Sequence, residues 1–130
     1  MGAQRRQRGK PQHTGPHPVS YTHLNAILLP FCMEYNRKDP AVAAKYANMA
    51  RMVAPERAAG LDDTAASALA VKLVEELSAD IGTNKPLSEL GVKEEDFVLM
   101  ATNSLEEGSM RNNPLHPSVE EVCEIYRAAL

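Results

Sequence analysis

Apolar side chains recur every three or four positions along most of this chain, a spacing that predicts successive helices rather than strands. Between Asn25 and Arg37 the residues Ile27, Leu28, Phe31, Cys32 and Tyr35 fall on one helical face, with Pro30 kinking the segment or marking a first turn. A second helix is predicted from Asp39-Pro40, a capping carboxylate followed by the residue whose missing N–H costs nothing at the first helical position. Its apolar stripe is Val42, Tyr46, Met49, Ala50 and Val53, and Pro55 lies just past its end. The third opens at Asp62-Asp63-Thr64, where acids face the positive end of the helix dipole. It places Ala66, Leu69, Ala70, Leu73, Val74, Leu77 and Ile81 on one side before Gly82 terminates it.

Leu87 to Val92 reads as a short helical turn between connectors, and a longer helix is predicted from about Lys93 to Gly108 with Phe97, Val98, Ala101 and Leu105 inward. In Ser118-Val119-Glu120-Glu121 a hydroxyl and a carboxylate stand at the spacing of a capping box, which starts a last helix burying Val119, Val122, Cys123 and Tyr126. Residues 25–130 are therefore expected to form one all-α domain of about six helices. No internal repeat interrupts that reading.

Residues 1–24 break the pattern. Gly2, Gly9, Gly15, Pro11, Pro16 and Pro18 stand among Arg, Gln and His with no periodic apolar face, which predicts a disordered arm. Charge divides the chain at the same place: the arm holds four of the 14 basic residues (Arg5, Arg6, Arg8, Lys10) and none of the 17 acidic ones, so the helical part is distinctly acidic. A basic arm raises the question of nucleic acid, but four charges without interleaved aromatics, leading into an acidic domain, do not make a phosphate-binding surface. No nucleic-acid or membrane partner is expected: no apolar stretch nears the roughly 20 residues of a membrane span, and the polar start is no secretory signal. Cys32 and Cys123 sit within apolar helical patterns without close partners, as buried reduced thiols do. A cytoplasmic location follows.

Self-contained chemistry is sparse. His13, His17 and His23 are loosely spaced, Pro16 interrupts the first pair, and no carboxylate lies nearby to complete a metal set. The acidic pairs Glu75-Glu76, Glu94-Glu95, Glu106-Glu107 and Glu120-Glu121 point in diverging directions on a helix, which suits solvated faces rather than acid/base catalysis. The polar segment from Gly108 to Pro114 stands out as a loop between two helices, where function is often placed.

Three stretches together resemble the C-terminal domain of the iron-containing (group III) alcohol dehydrogenases. Asn25-Ala-Ile-Leu-Leu-Pro30 runs into Met33-Glu34-Tyr35-Asn36; Leu87-Ser-Glu-Leu-Gly91-Val92 precedes Glu94-Glu95-Asp96-Phe97; and Asn113-Pro114 is followed by Glu120-Glu121-Val122 and Ile125-Tyr126. Lys45-Tyr46-Ala47 and Met49-Ala50-Arg51 fit the family's second helix. The resemblance implies the helical half of a dehydroquinate synthase-like fold. The parent enzyme it implies is a homo-oligomer that binds Fe²⁺ or another divalent metal together with NAD(P), and interconverts small alcohols with aldehydes or ketones. In such enzymes one Asp and three His bind the metal, and the last His stands four residues before the asparagine matching Asn25. Tyr21 occupies that position here, and the remaining ligands and the cofactor domain would precede residue 25. No catalytic, cofactor or metal residue is therefore carried over; Ser109, Met110 and Asn113 are the substrate-pocket candidates, because the loop they occupy approaches the substrate region in the family.

Pro18-Val19-Ser20-Tyr21-Thr22-His23-Leu24 also resembles one reading frame of the transposon-end adapter used for DNA sequencing libraries, so the arm is expected to be adapter-derived rather than native. A fragment of this kind is expected to be inactive and to expose apolar surface. The alternative is a free-standing helical interaction module that recruits partners through its basic arm.

Overall fold

The computed structural model of the chain describes residues 21–130, with side chains from His23 onward. Six α-helices are present among the described residues, with no strand: α1 (Tyr21–Asn36), α2 (Pro40–Val53), the single turn α3 (Pro55–Ala58), α4 (Asp63–Asp80), α5 (Phe97–Glu106) and α6 (Val119–Ala128). Short 3₁₀ turns at Leu87–Leu90, Glu94–Asp96 and Gly108–Asn112 join the later helices. Most of the arm expected to be disordered, His13 and His17 included, lies outside the described residues. Its last part, residues 21–24, is helical, so α1 begins four residues ahead of Asn25. Nothing in Tyr21-Thr22-His23-Leu24 breaks a helix, and the apolar face of α1 extends back through Leu24, which packs against the core.

Helix ends follow the chemistry of their sequences. The Asp39 carboxylate accepts from the Ala41 and Val42 amides at 2.8 and 3.3 Å, with Pro40 at the first position of α2. Asp62 accepts from Ala65 N–H at 2.8 Å and starts α4. Gly82 stands at φ +74°, where a residue without Cβ closes α4 at no steric cost. Pro30 lies inside α1, buried, rather than in its first turn.

Helices α2 and α4 pack along each other, and the residues they bury are small. Ala47, Ala50, Ala66, Ser67 and Ala70 are fully hidden. Close approach of two backbones replaces bulky interdigitation on this side. The buried face of α4 is therefore turned by about one residue from the expected stripe: it includes Ser67, Val71 and Ser78, while Leu77 and Ile81 are exposed. Serine is tolerated inside because its hydroxyl is satisfied locally; Ser67 Oγ donates to the Thr64 carbonyl at 2.8 Å. Val53, expected in the α2 stripe, and Val98, expected inward on α5, are likewise exposed, because the covering helix reaches only the Ala47/Ala50 face and the Phe97/Ala101 face.

The main core lies on the other side. Ile27 of α1, Leu87, Phe97 and Ala101 of α5, and Val122, Cys123 and Tyr126 of α6 form one buried cluster. The Phe97 and Tyr126 rings stand 5.6 Å apart and tilted at 52°, a favoured aromatic geometry. The chain end closes this unit: Leu87 N–H donates to the Ala129 carbonyl at 2.9 Å and Ser88 Oγ donates to the Leu130 carbonyl at 2.9 Å. Arg127 adds contacts to Glu94, Glu120 and Glu124 on the surface, where such pairs contribute little individually.

Candidate functional site

The sequence-predicted pocket segment sits between α5 and α6. Glu107 is extended, Gly108–Asn112 form a 3₁₀ turn, and Met110 N–H and Asn113 N–H bond back to the Glu107 and Met110 carbonyls at 3.0 and 3.1 Å. The turn ends at Asn113 because Pro114 forces its predecessor out of helical conformation; Asn113 stands at φ −69°, ψ 136°.

The Asn113 side chain anchors the segment to α1. Asn36 Nδ2 donates to Asn113 Oδ1 at 3.1 Å, Asn113 Nδ2 returns a bond to Asn36 Oδ1 at 2.9 Å, and the same nitrogen donates to the Leu115 carbonyl at 2.6 Å. This reciprocal amide pair joins positions 77 residues apart. Sequence reasoning misses Asn36 as a site residue; its only local signal is an asparagine at the last position of a helix.

The three pocket candidates do not share one environment. Met110 and Asn113, both half-buried, line a half-open cavity of about 190 Å³ between α1, the end of α5, the 108–112 turn and α6. Ser109 is exposed and lies outside that lining. Leu28 and Cys32 of α1, Ser104 of α5 and Ile125 and Tyr126 of α6 complete much of the wall. Burial pushes the Cys32 thiol above its ordinary value, which leaves it protonated and unreactive near neutral pH. Both cysteines are free, Cys123 within the core and Cys32 half-buried beside the cavity.

Titratable groups elsewhere serve structure. At the start of α6 the Ser118 hydroxyl accepts from Glu121 N–H at 3.2 Å and the Glu121 carboxylate accepts from Ser118 N–H at 2.8 Å, completing the predicted capping box. Those bonds from Ser118, then the Tyr35 phenol, hold Glu121 below the usual glutamate range. Tyr35 is raised in return, by desolvation and by Glu121, and Lys38 lies 4.4 Å from its ring centre. A depressed folded pKa contributes stability that is present above the ordinary glutamate value of about 4.3 and lost as pH falls through the lower folded value. Ser118→Ala is expected to cost about 1 kcal/mol at neutral pH. Glu121→Gln should flatten the acid limb of the stability profile; thermal melts between about pH 3 and pH 7 check both, and an unchanged acid limb would assign that limb to other carboxylates.

Among the described residues, no three His, Cys, Asp or Glu side chains gather closely enough to hold a metal ion. His23 lies on α1 and is exposed, as is His116 in the connector before α6. Several of the acids pair with arginines instead: Glu34 with Arg37, Asp63 with Arg51, Glu76 with Arg57 and Glu120 with Arg127. The donors among the described residues do not fit a metal centre. Likewise, no helix among the described residues is long and apolar enough to cross a membrane.

Comparison with known proteins gives this arrangement its context. A family model described as the Fe-containing alcohol dehydrogenase family, C-terminal, matches residues 12–130, a span that starts within the arm rather than at Asn25. A 1,3-propanediol dehydrogenase of Citrobacter freundii is 40% identical over 114 residues, covering 88% of this chain and 28% of the relative. A lactaldehyde reductase of Escherichia coli strain K12 is 32% identical over the same shares. A solved structure titled as a 1,3-propanediol oxidoreductase superimposes with a TM-score of 0.77 at 36% identity, over 83% of this chain and 28% of that one. The chain thus spans little more than a quarter of the length of these relatives. The all-α architecture, the order of its helices and the matched span agree: the chain belongs to the Fe-containing alcohol dehydrogenase family, of which it carries the C-terminal helical portion.

Proposed function

We propose that this chain is the helical portion of a metal-dependent dehydrogenase that interconverts small alcohols with aldehydes or ketones using NAD(P), and that it is inactive on its own. The observation that carries the reading is the unequal coverage: 88% of the chain matches only 28% of a relative named as a dehydrogenase. In the parent enzyme, Fe²⁺ or another divalent ion supplies Lewis-acid stabilisation of the alkoxide or polarisation of the carbonyl, and NAD(P) carries the hydride. The residues described here do not fit that metal, so no chemical step is assigned to them.

The role left to this domain is scaffolding and shaping of the substrate region. The turn bearing Ser109, Met110 and Asn113 is its contribution, with Ser109 on the exposed side and the Asn36–Asn113 pair fixing the turn from behind. A small alcohol or aldehyde is the substrate class that fits, in keeping with the names of the relatives for 1,3-propanediol and lactaldehyde, and the parent enzyme is proposed to work as a homo-oligomer in the cytoplasm. Purified chain supplied with a divalent metal, NAD⁺ or NADP⁺ and 1,3-propanediol is expected to form no reduced nicotinamide and to retain no stoichiometric metal through dialysis. Turnover by the isolated chain that survives repurification would overturn the reading.

A further inference from the structure

A second, half-open cavity of about 320 Å³ lies where α1, α4, the connector before Leu87 and the end of α6 meet. It shares no residue with the cavity behind the 108–112 turn or with the substrate-pocket candidates. An apolar cavity of roughly 150 Å³ suffices to hold benzene, so this one takes a ring-sized body together with a polar head. Ile27, Pro30 and Phe31 of α1 and Ala128 and Ala129 at the end of α6 supply most of its apolar wall. Four polar side chains complete the lining: Glu75 and Ser78 on α4, and Asn84 and Lys85 on the connector.

Ser78 is 8% exposed, yet its hydroxyl has no hydrogen-bond partner among the described residues. Ser67, buried on the same helix, instead donates to the Thr64 carbonyl at 2.8 Å. Among the described residues no side-chain oxygen sealed from solvent lacks a partner, so the Ser78 hydroxyl is reached from the cavity it lines. Glu75 stands three residues before Ser78, on the same face of α4. It joins no ion pair among the described residues, although its neighbour Glu76 holds Arg57 at 2.7 Å. Both positions lie towards the C-terminal end of α4, where the helix dipole is negative and no basic residue stands in the last turn. This wall suits a cation.

The connector has the opposite character. Lys85 meets only Glu89, at 3.7 Å with both side chains more than half exposed, and Asn84 adds an amide donor. No ion pair joins Lys85 to Glu75, so the cavity presents a negative side and a positive side over an apolar floor. That is the complement of a zwitterion carrying a hydrocarbon group; a singly charged guest leaves one of the two sides unused. We propose that this cavity binds a free α-amino acid with an apolar side chain. Its ammonium lies between Glu75 and Ser78, its carboxylate on Lys85 and Asn84, and its side chain against Ile27, Pro30 and Phe31. Ser78 accepts from the ammonium, a charge-assisted bond that supplies the partner its hydroxyl lacks in the free chain.

Amide NMR of the whole 130-residue chain near neutral pH, titrated separately with L-phenylalanine, 2-phenylethylamine and 3-phenylpropionate, tests this. L-Phenylalanine is expected to give saturable shifts at the Ile27, Phe31, Ser78 and Lys85 amides. It should bind at least about fivefold tighter than either analogue, each of which lacks one charged end. Glu75→Gln, at an exposed position, should weaken phenylalanine by a similar factor without a marked change in melting temperature. Ser78→Ala should weaken it too, while leaving the melting temperature unchanged or raised, since alanine is the better helix former and the hydroxyl has no partner to lose. Equal binding of either analogue, a lack of saturable shifts with phenylalanine, or phenylalanine binding unaltered in Glu75→Gln would each overturn the site. A Ser78→Ala chain that melts markedly lower would show the hydroxyl to be structural and overturn its assignment. The family reading stands or falls separately, since neither metal nor nicotinamide enters the measurement.

Discussion

Phe97→Ala is expected to lower the melting temperature of this chain by at least about 12 °C, corresponding to a loss of roughly 3–5 kcal/mol. Phe97 is 1% exposed and is the largest fully buried side chain. It joins α5 to α6 through the Tyr126 ring and shares its cluster with Ile27 of α1 and with Leu87. The site has little freedom to collapse around the lost ring, because its neighbours are fixed from outside. Leu87 is tied to the Ala129 carbonyl by a backbone hydrogen bond of 2.9 Å, which joins the 87–90 turn to the end of α6. A void held open in this way adds its own cost to the lost transfer energy. The neighbouring Val98 is 61% exposed, so Val98→Ala should change stability by no more than about 0.5 kcal/mol. Calorimetry on the pair of variants separates the two positions, and similar melting temperatures for both would mean that the core is not centred on Phe97.

That contrast also marks where the fold is legible in the sequence. The helix starts are written locally: Asp39-Pro40, Asp62 and the Ser118/Glu121 box each specify a cap within three residues, and each is formed. Gly82 and Gly91 end their segments at positive φ for an equally local reason. The faces are less legible. Apolar periodicity assigns Leu77, Ile81, Val53 and Val98 to the interior, yet they are exposed, while Ser67, Ser78 and Ala47 are buried. Periodicity records which side of a helix is apolar, whereas the partner's shape decides which part of that side is covered, and here α2 and α4 meet along small residues.

The candidate site divides in the same way. The Gly108 to Pro114 segment declares itself by composition, and Pro114 sets the end of its turn. The Asn36–Asn113 pair does not, because a contact between residues 77 positions apart leaves no trace in local pattern. The start of α1 at Tyr21 is hidden by the abrupt change in composition before Asn25, which outweighs the helix-compatible residues just ahead of it.

Position 21 carries the second large expected effect. Resemblance to the family places a metal-binding histidine where this chain has Tyr21, and a neutral phenol is a poor replacement for an imidazole. Fusing the upstream part of the Citrobacter freundii 1,3-propanediol dehydrogenase to this chain at Tyr21 supplies the portion of the relative that the chain does not match. With Tyr21 retained, the fusion should bind metal weakly and turn over slowly. Tyr21→His in that fusion should raise kcat/KM by on the order of 100-fold, since each tenfold corresponds to about 1.4 kcal/mol and metal charge stabilisation is worth several.

The most direct test is therefore the steady-state rate of 1,3-propanediol oxidation by the two fusions, measured alongside metal content per chain. Near-stoichiometric metal and strong turnover are predicted only for the fusion carrying Tyr21→His; two soluble, helical fusions of equal activity, or equal inactivity, would contradict the account.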